Sequence, residues 1–262
     1  MERRVTVRRP ILRYDGEALG MAEDEIASEY ALTVWVNDEE FATMVCTPEH
    51  LEELTVGFLA SEGIIRKASD LSDLTIDESR GMAYATVPSA PAFTRDLTHK
   101  RYLTSCCGKS RSFTFYNDAR TARKVTGSVT LTVGQAFALQ SALQEGSSEF
   151  RATGGFHNAA LCRPEGILLT RADIGRHNAL DKLYGRCLLD GTDPSSLVIA
   201  FSGRMSSEVL LKAAKLGSPV LLSKSAPTGL ALDLAEELGI TAVGFIRGRT
   251  LNVYSHPERI RV

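Results

Sequence analysis

The C-terminal half of the chain alternates short apolar runs with amphipathic segments, and this pattern constrains the fold more than any other feature. Apolar runs at 197–202, 219–223 and 240–247 are separated by segments at 206–216 and 227–238 that have helical periodicity. Strands of this length, alternating with helices of about ten residues, are typical of a mostly parallel sheet with helices on its faces. We therefore predict an α/β fold.

The residues that precede these runs in the C-terminal half also alternate between predicted strands and helices. We predict an amphipathic helix over 133–145, strand-like runs at 159–162 and 167–171, and a helix from about 175 to 189. A polar stretch around residues 117–128 is the best candidate for a boundary. It divides the chain into a smaller strand-rich α+β region, 1–125, and an α/β domain, 126–262.

The N-terminal region has its own pattern. Two strands, 31–36 and 39–46, are predicted to turn at Asn37 and Asp38. Thr47 followed by Pro48 predicts a helix with Thr47 as its N-cap, because proline is favoured at the first helical position. Short strands are expected near 73–77 and 82–87, and the arginine-rich start is either a solvated arm or a first strand.

Overall charge and cysteine count exclude several classes of protein. The 262 residues carry a net charge of −2, which gives no general attraction to nucleic acid. No window is apolar over the length that a membrane-spanning helix needs. Five cysteines are an odd number, which leaves a disulfide framework incomplete and favours a reducing, cytoplasmic location.

Two cysteines, Cys106 and Cys107, are adjacent in a short polar run. Neighbouring Cα atoms lie about 3.8 Å apart, whereas ordinary disulfides need roughly 4.4–6.8 Å. A structural bridge between the two is therefore disfavoured. Lys109 and Arg111 follow, and nearby cations lower a thiol pKa and so raise the reactive thiolate fraction. We favour a reactive cysteine loop over two incidental free thiols.

Cations and small residues follow three successive strands of the predicted sheet. Arg204 follows the first strand, Lys224 and Ser225 the second, and Arg247-Gly248-Arg249 the third. The carboxyl ends of parallel strands meet at one edge, where ligands bind and helix N-termini attract phosphate. We predict a pocket for a phosphorylated or nucleotide-like ligand. For any single strand end, the alternative is that the cation neutralises an acidic side chain of the protein, such as Glu208, and binds no ligand.

Two histidines lie in further polar motifs. His177 follows Asp173 at another strand-to-helix junction, where Asp173 is well placed to cap the helix and both residues are predicted to contact the bound ligand. His157 stands in the run Thr153–Asn158. Zinc sites normally show paired CxxC or HxxxH-type spacing, and neither occurs in this sequence. We expect no metal site, and we expect both histidines to orient a ligand or to connect loops.

Four long motifs together resemble the FdhD family of formate dehydrogenase accessory proteins. They are TGGFHNAAL, RADIGRHNALDKL, the run from FSGRMSSEVLL to LAEELGI, and the closing GFIRGRTLNVYSHPERI. The similarity extends from about residue 28 to the C-terminus. It implies a cytidine-deaminase-like three-layer core, usually dimeric. The zinc signature of true deaminases is absent, so deaminase chemistry is not implied.

The resemblance implies a sulfurtransferase. A cysteine would take persulfide sulfur from a cysteine desulfurase and pass it to the molybdenum or tungsten bis-guanine-dinucleotide cofactor, before that cofactor enters the formate dehydrogenase catalytic subunit. GDP would mimic the bound nucleotide. The closing segment that matches the cofactor-binding part of the family is Phe245, Ile246, Arg247, Gly248, Arg249 and Thr250.

One departure concerns the cysteine loop. Many family members have Cys-Gly-x-Cys-Gly there, and alignment on Cys107 puts Thr104 at the first cysteine position. We favour Cys107 as the sulfur carrier, with Cys106 as a helper or relay. A cofactor chaperone without sulfur transfer is the rival reading. A third hypothesis is an enzyme that converts nucleotides, but the missing zinc motif argues against it.

Overall fold

The structure, a computed structural model, describes residues 4–89, 102–103 and 122–262. The strands are β1 (Thr6–Tyr14), β2 (Leu19–Ala27), β3 (Tyr30–Val36), β4 (Glu39–Cys46), β5 (Asp73–Asp77), β6 (Met82–Thr86), β7 (Tyr102–Leu103), β8 (Leu131–Thr132), β9 (His157–Arg163), β10 (Gly166–Asp173), β11 (Val198–Phe201), β12 (Val220–Ser223), β13 (Thr241–Arg247), β14 (Thr250–Val253) and β15 (Ile260–Arg261). The helices are α1 (Leu51–Ser61), α2 (Val133–Glu145), α3 (Ser148–Thr153), α4 (Arg176–Asp190), α5 (Ser207–Leu216) and α6 (Gly229–Leu238).

The N-terminal region forms a mixed sheet in the order β5-β6-β3-β4-β7. The predicted strand pair is confirmed: β3 and β4 are antiparallel, and Asn37 and Asp38 both have positive φ, as a tight hairpin turn requires. The two short strands predicted near 73–77 and 82–87 are β5 and β6, which also pair antiparallel. Helix α1 covers the apolar face of this sheet, so the first hydrophobic core lies between them.

Helix α1 begins later than predicted, and Thr47 is not its cap. The helix starts at Leu51, after His50 in a left-handed conformation. Thr47 is buried and bonded elsewhere: its Oγ1 accepts from the backbone N–H of Ile174, at 3.1 Å. A tertiary partner 127 residues away has replaced the local capping bond.

The C-terminal region is a six-stranded sheet in the order β10-β9-β11-β12-β13-β14. Parallel pairing is confirmed for the three central strands, β11, β12 and β13. The flanking strands β9, β10 and β14 pair antiparallel, so the sheet as a whole is mixed. Only two residues, Pro164 and Glu165, connect β9 to β10, which is too short for a parallel crossover.

Helices cover both faces of this sheet. Alternate residues of β9 point to opposite cores: Ala159 and Leu161 pack with α4, α5 and α6, whereas Ala160 and Cys162 pack with α2. The α/β prediction is thus confirmed with three layers in this region. Val125, at the predicted boundary, donates its N–H to Leu238 O and packs in the C-terminal core.

Helices α1 and α4 join the two regions through a close backbone contact. A Cβ on Gly57 would lie 1.8 Å from the carbonyl oxygen of Asp181, and a Cβ on Gly185 would lie 1.9 Å from that of Glu53. Real Cβ atoms never approach this closely, so both positions require glycine. The end of β4 also meets the end of β10, because the Thr47 N–H donates to the Asp173 carboxylate at 3.0 Å.

The first two strands form a separate antiparallel hairpin. Its tip carries four largely exposed apolar side chains on one face, namely Leu12, Tyr14, Leu19 and Met21. The arginine-rich start is therefore a first strand, and most of its side chains are exposed.

Candidate functional site

One edge of the six-stranded sheet collects the predicted ligand-binding residues. The parallel strands β11, β12 and β13 end there, as predicted. Because β9 runs antiparallel to β11, and β10 antiparallel to β9, the start of β9 and the end of β10 lie at the same edge. His157, the Asp173–His177 junction and the three basic strand ends therefore share one edge.

Hydrogen bonds tie the loops of this edge to one another. The Ser223 hydroxyl donates to Gly203 O at 2.8 Å, and the Ser225 hydroxyl donates to Ser202 O at 3.2 Å. The backbone N–H of Met205 donates to Ala226 O at 3.1 Å. These bonds fix the loops after β11 and β12 relative to each other, so the two loops form one continuous surface. Helices α5 and α6 start from it, and their N-termini add positive partial charge.

The end of β13 carries an aromatic ring in a strained backbone position. Phe245 has φ 51, a conformation that is unfavourable for a bulky residue, and its side chain is 37% exposed. The Arg247 guanidinium lies 5.6 Å from the ring centroid, and its Nε donates to Lys224 O at 2.9 Å. The fold therefore holds an exposed aromatic face beside an oriented cation. Such strain is concentrated at functional sites.

A cavity of about 480 Å³ opens beside this strand end. One wall is the β12 and β13 side, with Lys224, Ile246, Arg247 and Gly248. The other wall is helix α2. Ligand pockets of small molecules usually measure about 300–1,000 Å³, so the cavity is large enough for a small molecule and has cations on one wall.

His157 and His177 stand further along the same edge. Nε2 of His177 lies 3.0 Å from a carboxylate oxygen of Glu208, in the first turn of α5. Nδ1 of His157 lies 3.5 Å from the Ser202 hydroxyl. Burial, and then the positive charge of Arg176, lower the pKa of His157 below its ordinary value of 6.5. His157 is therefore neutral at pH 7.

Asp173 lies behind this edge rather than on it. Its side chain is fully buried, and one carboxylate oxygen lies 2.8 Å from Nζ of Lys182. Its other oxygen accepts from the Gly175 N–H and the Asn178 amide, at 2.8 and 2.9 Å. The sequence suggested that Asp173 contacts a ligand. Its carboxylate is instead buried against Lys182 and does not reach the edge. Asp173 instead fixes the turn that carries His177.

The other predicted residues differ in exposure. Arg204, Gly248, Arg249 and Thr250 are exposed, whereas Ile246 is buried in the core beneath the cavity. Lys224 and Ser225 are half-buried between the β11 and β13 loops. Cys106 and Cys107 lie outside the described residues.

The chain matches the FdhD/NarQ family over residues 27–261. It belongs to this family. Three similar FdhD/NarQ relatives, each named sulfur carrier protein FdhD, support the assignment. That of Halalkalibacterium halodurans is 57% identical and covers 91% of this chain and 89% of its own. That of Geobacillus kaustophilus is 56% identical, covering 97% and 96%. That of Bacillus subtilis is 51% identical, covering 100% of both.

The fold is shared with a solved structure. A protein from Desulfotalea psychrophila, described as a formate dehydrogenase accessory protein, superposes with a TM-score of 0.80. It covers 98% of this chain and 100% of its own, at 22% sequence identity. At this identity the likeness supports the fold of this FdhD/NarQ chain and nothing finer.

The three described cysteines of this FdhD/NarQ chain are buried. Cys46 and Cys162 are fully buried, and Cys187 is 3% exposed. Burial raises the pKa of Cys162 to about 12 and that of Cys187 to about 11, and it also raises the pKa of Cys46. These thiols are protonated at pH 7 and are poor nucleophiles.

Two further observations concern the described part of the chain. It contains no group of three or more His, Cys, Asp or Glu side chains placed to hold a metal ion. None of its helices is long and apolar enough to cross a membrane.

The α2 wall of the cavity was missed by sequence reasoning. Phe137, Gln140, Ser141 and Gln144 line it, and the sequence predicted only an amphipathic helix there. One signal was available. Gln140 falls on the buried stripe of α2 with Leu139 and Leu143, so a polar side chain occupies a core position.

Proposed function

We propose that this chain is a sulfur carrier for formate dehydrogenase. It accepts persulfide sulfur from a cysteine desulfurase and passes it to the molybdenum or tungsten bis-guanine-dinucleotide cofactor, before the cofactor enters the catalytic subunit of the dehydrogenase. Membership of the FdhD/NarQ family and the names of its relatives support the sulfur-carrier role. The edge at which β11, β12 and β13 end, called the strand-end edge below, carries cations and so supports the nucleotide cofactor as the sulfur acceptor.

The distribution of thiols carries the assignment of the sulfur site. The chain has five cysteines, and burial holds three of them in the protonated form. Cys106 and Cys107 are the remaining pair, in a polar run with Lys109 and Arg111. Cys107 is the proposed carrier, and Cys106 is a helper or relay.

The loading step is an exchange at divalent sulfur. The Cys107 thiolate attacks the outer sulfur of the desulfurase persulfide, and a new S–S bond forms between that sulfur and Cys107 Sγ. The bond between the outer sulfur and the desulfurase cysteine breaks, and that cysteine leaves as a thiolate. No oxidant or reductant is needed, because the electrons of the broken bond stay with the leaving thiolate.

We assign binding of the sulfur acceptor, the nucleotide cofactor, to the strand-end edge. Guanine dinucleotides carry pyrophosphates, and Arg204, Lys224, Arg247 and Arg249 offer cations at one sheet edge. Arginine binds phosphate oxygens in bidentate fashion, and the N-termini of α5 and α6 add backbone donors. The exposed ring of Phe245 offers a stacking surface for a planar group.

Three further features complete the proposal. The six-stranded region is a cytidine-deaminase-like core, which its mixed central sheet and two helical layers support. The protein works as a homodimer in the cytoplasm. Residues 1–125 present the sulfur-carrying loop, and residues 126–262 hold the cofactor.

Intact-mass measurement tests sulfur loading directly. The protein is incubated with a cysteine desulfurase and cysteine, then weighed before and after reduction. We expect the mass to increase by one sulfur atom and the added sulfur to be removed by thiols. Cys107→Ala should abolish loading and dehydrogenase maturation while the melting temperature stays near wild type. Cys187→Ala, which removes a buried thiol, is the matched control and should load normally.

Two results would contradict the assignment. A wild-type protein that never gains sulfur would indicate a cofactor chaperone without sulfur transfer. Normal loading and full maturation by Cys107→Ala would move the carrier to Cys106.

A further inference from the structure

A second cavity, of about 420 Å³, opens where helices α1 and α5 end. Ala214 and Lys215 of α5 line it, together with Tyr184 of α4 and the loop that follows α1. Helix α5 begins at the strand-end edge with Ser207, and a rise of about 1.5 Å per residue places Lys215 about 12 Å farther along the helix axis. The cavity is therefore separate from the proposed nucleotide site.

Three cations line this cavity, and they come from three separate parts of the chain. They are Arg66, Arg123 and Lys215. No carboxylate is among the described residues that line it. Tyr184 adds no negative charge at pH 7, because burial, followed by the charge of Asp181, raises the pKa of its hydroxyl. The wall of the cavity is therefore positive.

The backbone that carries the two arginines is fixed by hydrogen bonds. The backbone N–H of Arg66 donates to the Asp70 carboxylate at 2.8 Å. Two residues after Arg123, the Val125 N–H donates to Leu238 O at 2.8 Å. Both arginines thus extend from ordered backbone, which lowers the entropy cost of binding an anion between them.

Compensation of helix ends explains only one of the three cations. Lys215 lies in the last turn of α5, and its ammonium donates to Ser61 O at the end of α1. Helix C-termini carry negative partial charge, which a lysine in this position neutralises. Arg66 and Arg123 lie outside the helices, are exposed, and form no ion pair within the described part of the chain. Their charges are available to an external anion.

The chain that carries the proposed sulfur carrier leads to this cavity. Cys107 lies 16 residues before Arg123 in the sequence, and Lys124, next to Arg123, is also exposed. A stable interface takes about 20–30 residues from each partner, so a donor protein that reaches Cys107 covers surface well beyond the cysteine. The acceptor is assigned to the other end of α5, which leaves this face for the donor.

We propose that this cavity is a docking site for the protein that donates sulfur, and that Arg66, Arg123 and Lys215 bind an acidic segment of that donor. This docking role rests on the sulfur-carrier role proposed above, and it adds where the donor binds and which chemistry it presents. Arginine pairs with carboxylates in bidentate fashion and is enriched in protein interfaces. Complementary charge also steers the encounter of the two proteins.

Calorimetric titration of the cysteine desulfurase into the full chain tests the docking site. Wild type is compared at low salt with Arg66→Ala, Arg123→Ala and the double charge reversal Arg66→Glu/Arg123→Glu. Each alanine variant should weaken desulfurase binding about two- to fivefold, and the reversal about tenfold or more, because like charges repel. At high salt the wild-type affinity should fall towards that of the reversed variant, since salt screens exposed charges.

Arg80→Ala is the matched control. Arg80 is also an exposed arginine outside the helices, but it lies in the turn after β5, and the five residues of that strand span about 17 Å. Its desulfurase affinity should equal that of wild type. GDP affinity should stay at the wild-type level in all of these variants, because none of them changes the strand-end edge.

Intact mass separates docking from the sulfur chemistry. The reversed variant should gain sulfur slowly at low desulfurase concentration and completely at high concentration, because Cys107 is unchanged. A variant that never loads at any desulfurase concentration, with its fold intact, would contradict a role in docking alone.

The other contradicting results are distinct. Equal desulfurase affinity in wild type and the reversed variant would overturn the docking site, while loading of wild type would keep the sulfur-carrier role intact. If that variant also loses binding of inorganic pyrophosphate, the cavity is a site for a small anion instead. A wild-type protein that neither binds the desulfurase nor gains sulfur would overturn the sulfur-carrier role itself, and the docking site with it.

Discussion

Charged side chains gather in two regions of this molecule, and the regions use their charges in opposite ways. The first lies between α1, α4 and α5, where the N-terminal and C-terminal regions meet. The second is the edge at which β11, β12 and β13 end. The same residue types, lysine and arginine, occur in both.

In the interior region, each charge is neutralised within the protein. Asp173 and Lys182 are both fully buried and lie 2.8 Å apart. Asp181 pairs with Lys212 and also accepts from the Ser61 hydroxyl. Buried charges are tolerated only when paired and hydrogen-bonded. This cluster therefore holds the two regions in register and leaves little for a ligand.

At the strand-end edge, the cations face outward. Arg204, Arg247 and Arg249 are exposed, and Arg247 is oriented by a backbone carbonyl rather than by a carboxylate. His177, which pairs with the Glu208 carboxylate, is an exception among the described residues of this edge. The difference teaches that the position of a charge, rather than its type, separates charges paired inside the protein from charges open to solvent, and only the second group is available to the ligand proposed above.

The largest expected effect is on the interior region. Lys182→Met leaves Asp173 buried without its cation, and breaking a buried pair costs about 3–5 kcal/mol. Urea denaturation should show this loss in the free energy of unfolding. The matched change at the edge, Lys224→Met, should cost less than about 1 kcal/mol.

The double variant Asp173→Asn/Lys182→Met sharpens the same comparison. Removing both charges should recover part of the lost stability, because the desolvation cost of the lone carboxylate disappears. Equal losses for Lys182→Met and Lys224→Met would show that the two regions do not differ as described.

A smaller effect is expected at the strained aromatic. Phe245→Gly relieves a positive φ that costs about 1–3 kcal/mol and removes a ring that is 37% exposed. The free energy of unfolding should therefore stay within about 1 kcal/mol of wild type, or increase, unlike an ordinary aromatic deletion in a core, which costs about 3–5 kcal/mol. GDP affinity should nevertheless fall. A core-sized loss of stability would make Phe245 a packing residue.

The smallest effect concerns pH. Because burial lowers the pKa of His157 in the folded state, the unfolded chain binds its proton more readily. Stability should decrease as the pH falls below about 6.5 and level off below the folded pKa. His157→Gln should flatten this slope between pH 7 and 5, measured by denaturation at each pH. Part of the pH dependence of stability should remain in that variant, because burial also lowers the pKa of His50. An unchanged slope would show that His157 titrates as an exposed histidine.

The sequence predicted most elements because their patterns are local. The helix over 133–145, the parallel strands β11 to β13 and the hairpin at Asn37 all follow from periodicity and turn chemistry. The meeting of three basic strand ends at one edge followed from parallel pairing alone. These inferences needed no knowledge of distant contacts.

The predictions that failed all depend on packing between different helices and strands. Thr47 has the chemistry of a cap, but its hydroxyl accepts from the Ile174 N–H, and its backbone N–H donates to the Asp173 carboxylate. Asp173 has the chemistry of a ligand contact, but Lys182 reaches it only because α4 packs back over β10. The sequence marks 133–145 only as an amphipathic helix, and the fold alone places that helix across a cavity from Lys224 and Arg247.

Titration of GDP into wild type and Arg247→Ala tests the outward-facing edge most directly. Charge-assisted hydrogen bonds contribute about 1.5–3 kcal/mol, so the loss of Arg247 should weaken GDP binding roughly ten- to a hundredfold. Arg163→Ala is the control, because Arg163 is exposed at the end of β9, on the opposite edge of the sheet. Its affinity for GDP should equal that of wild type. Equal GDP affinity in wild type, Arg247→Ala and Arg249→Ala would contradict the account and leave these arginines as surface charges.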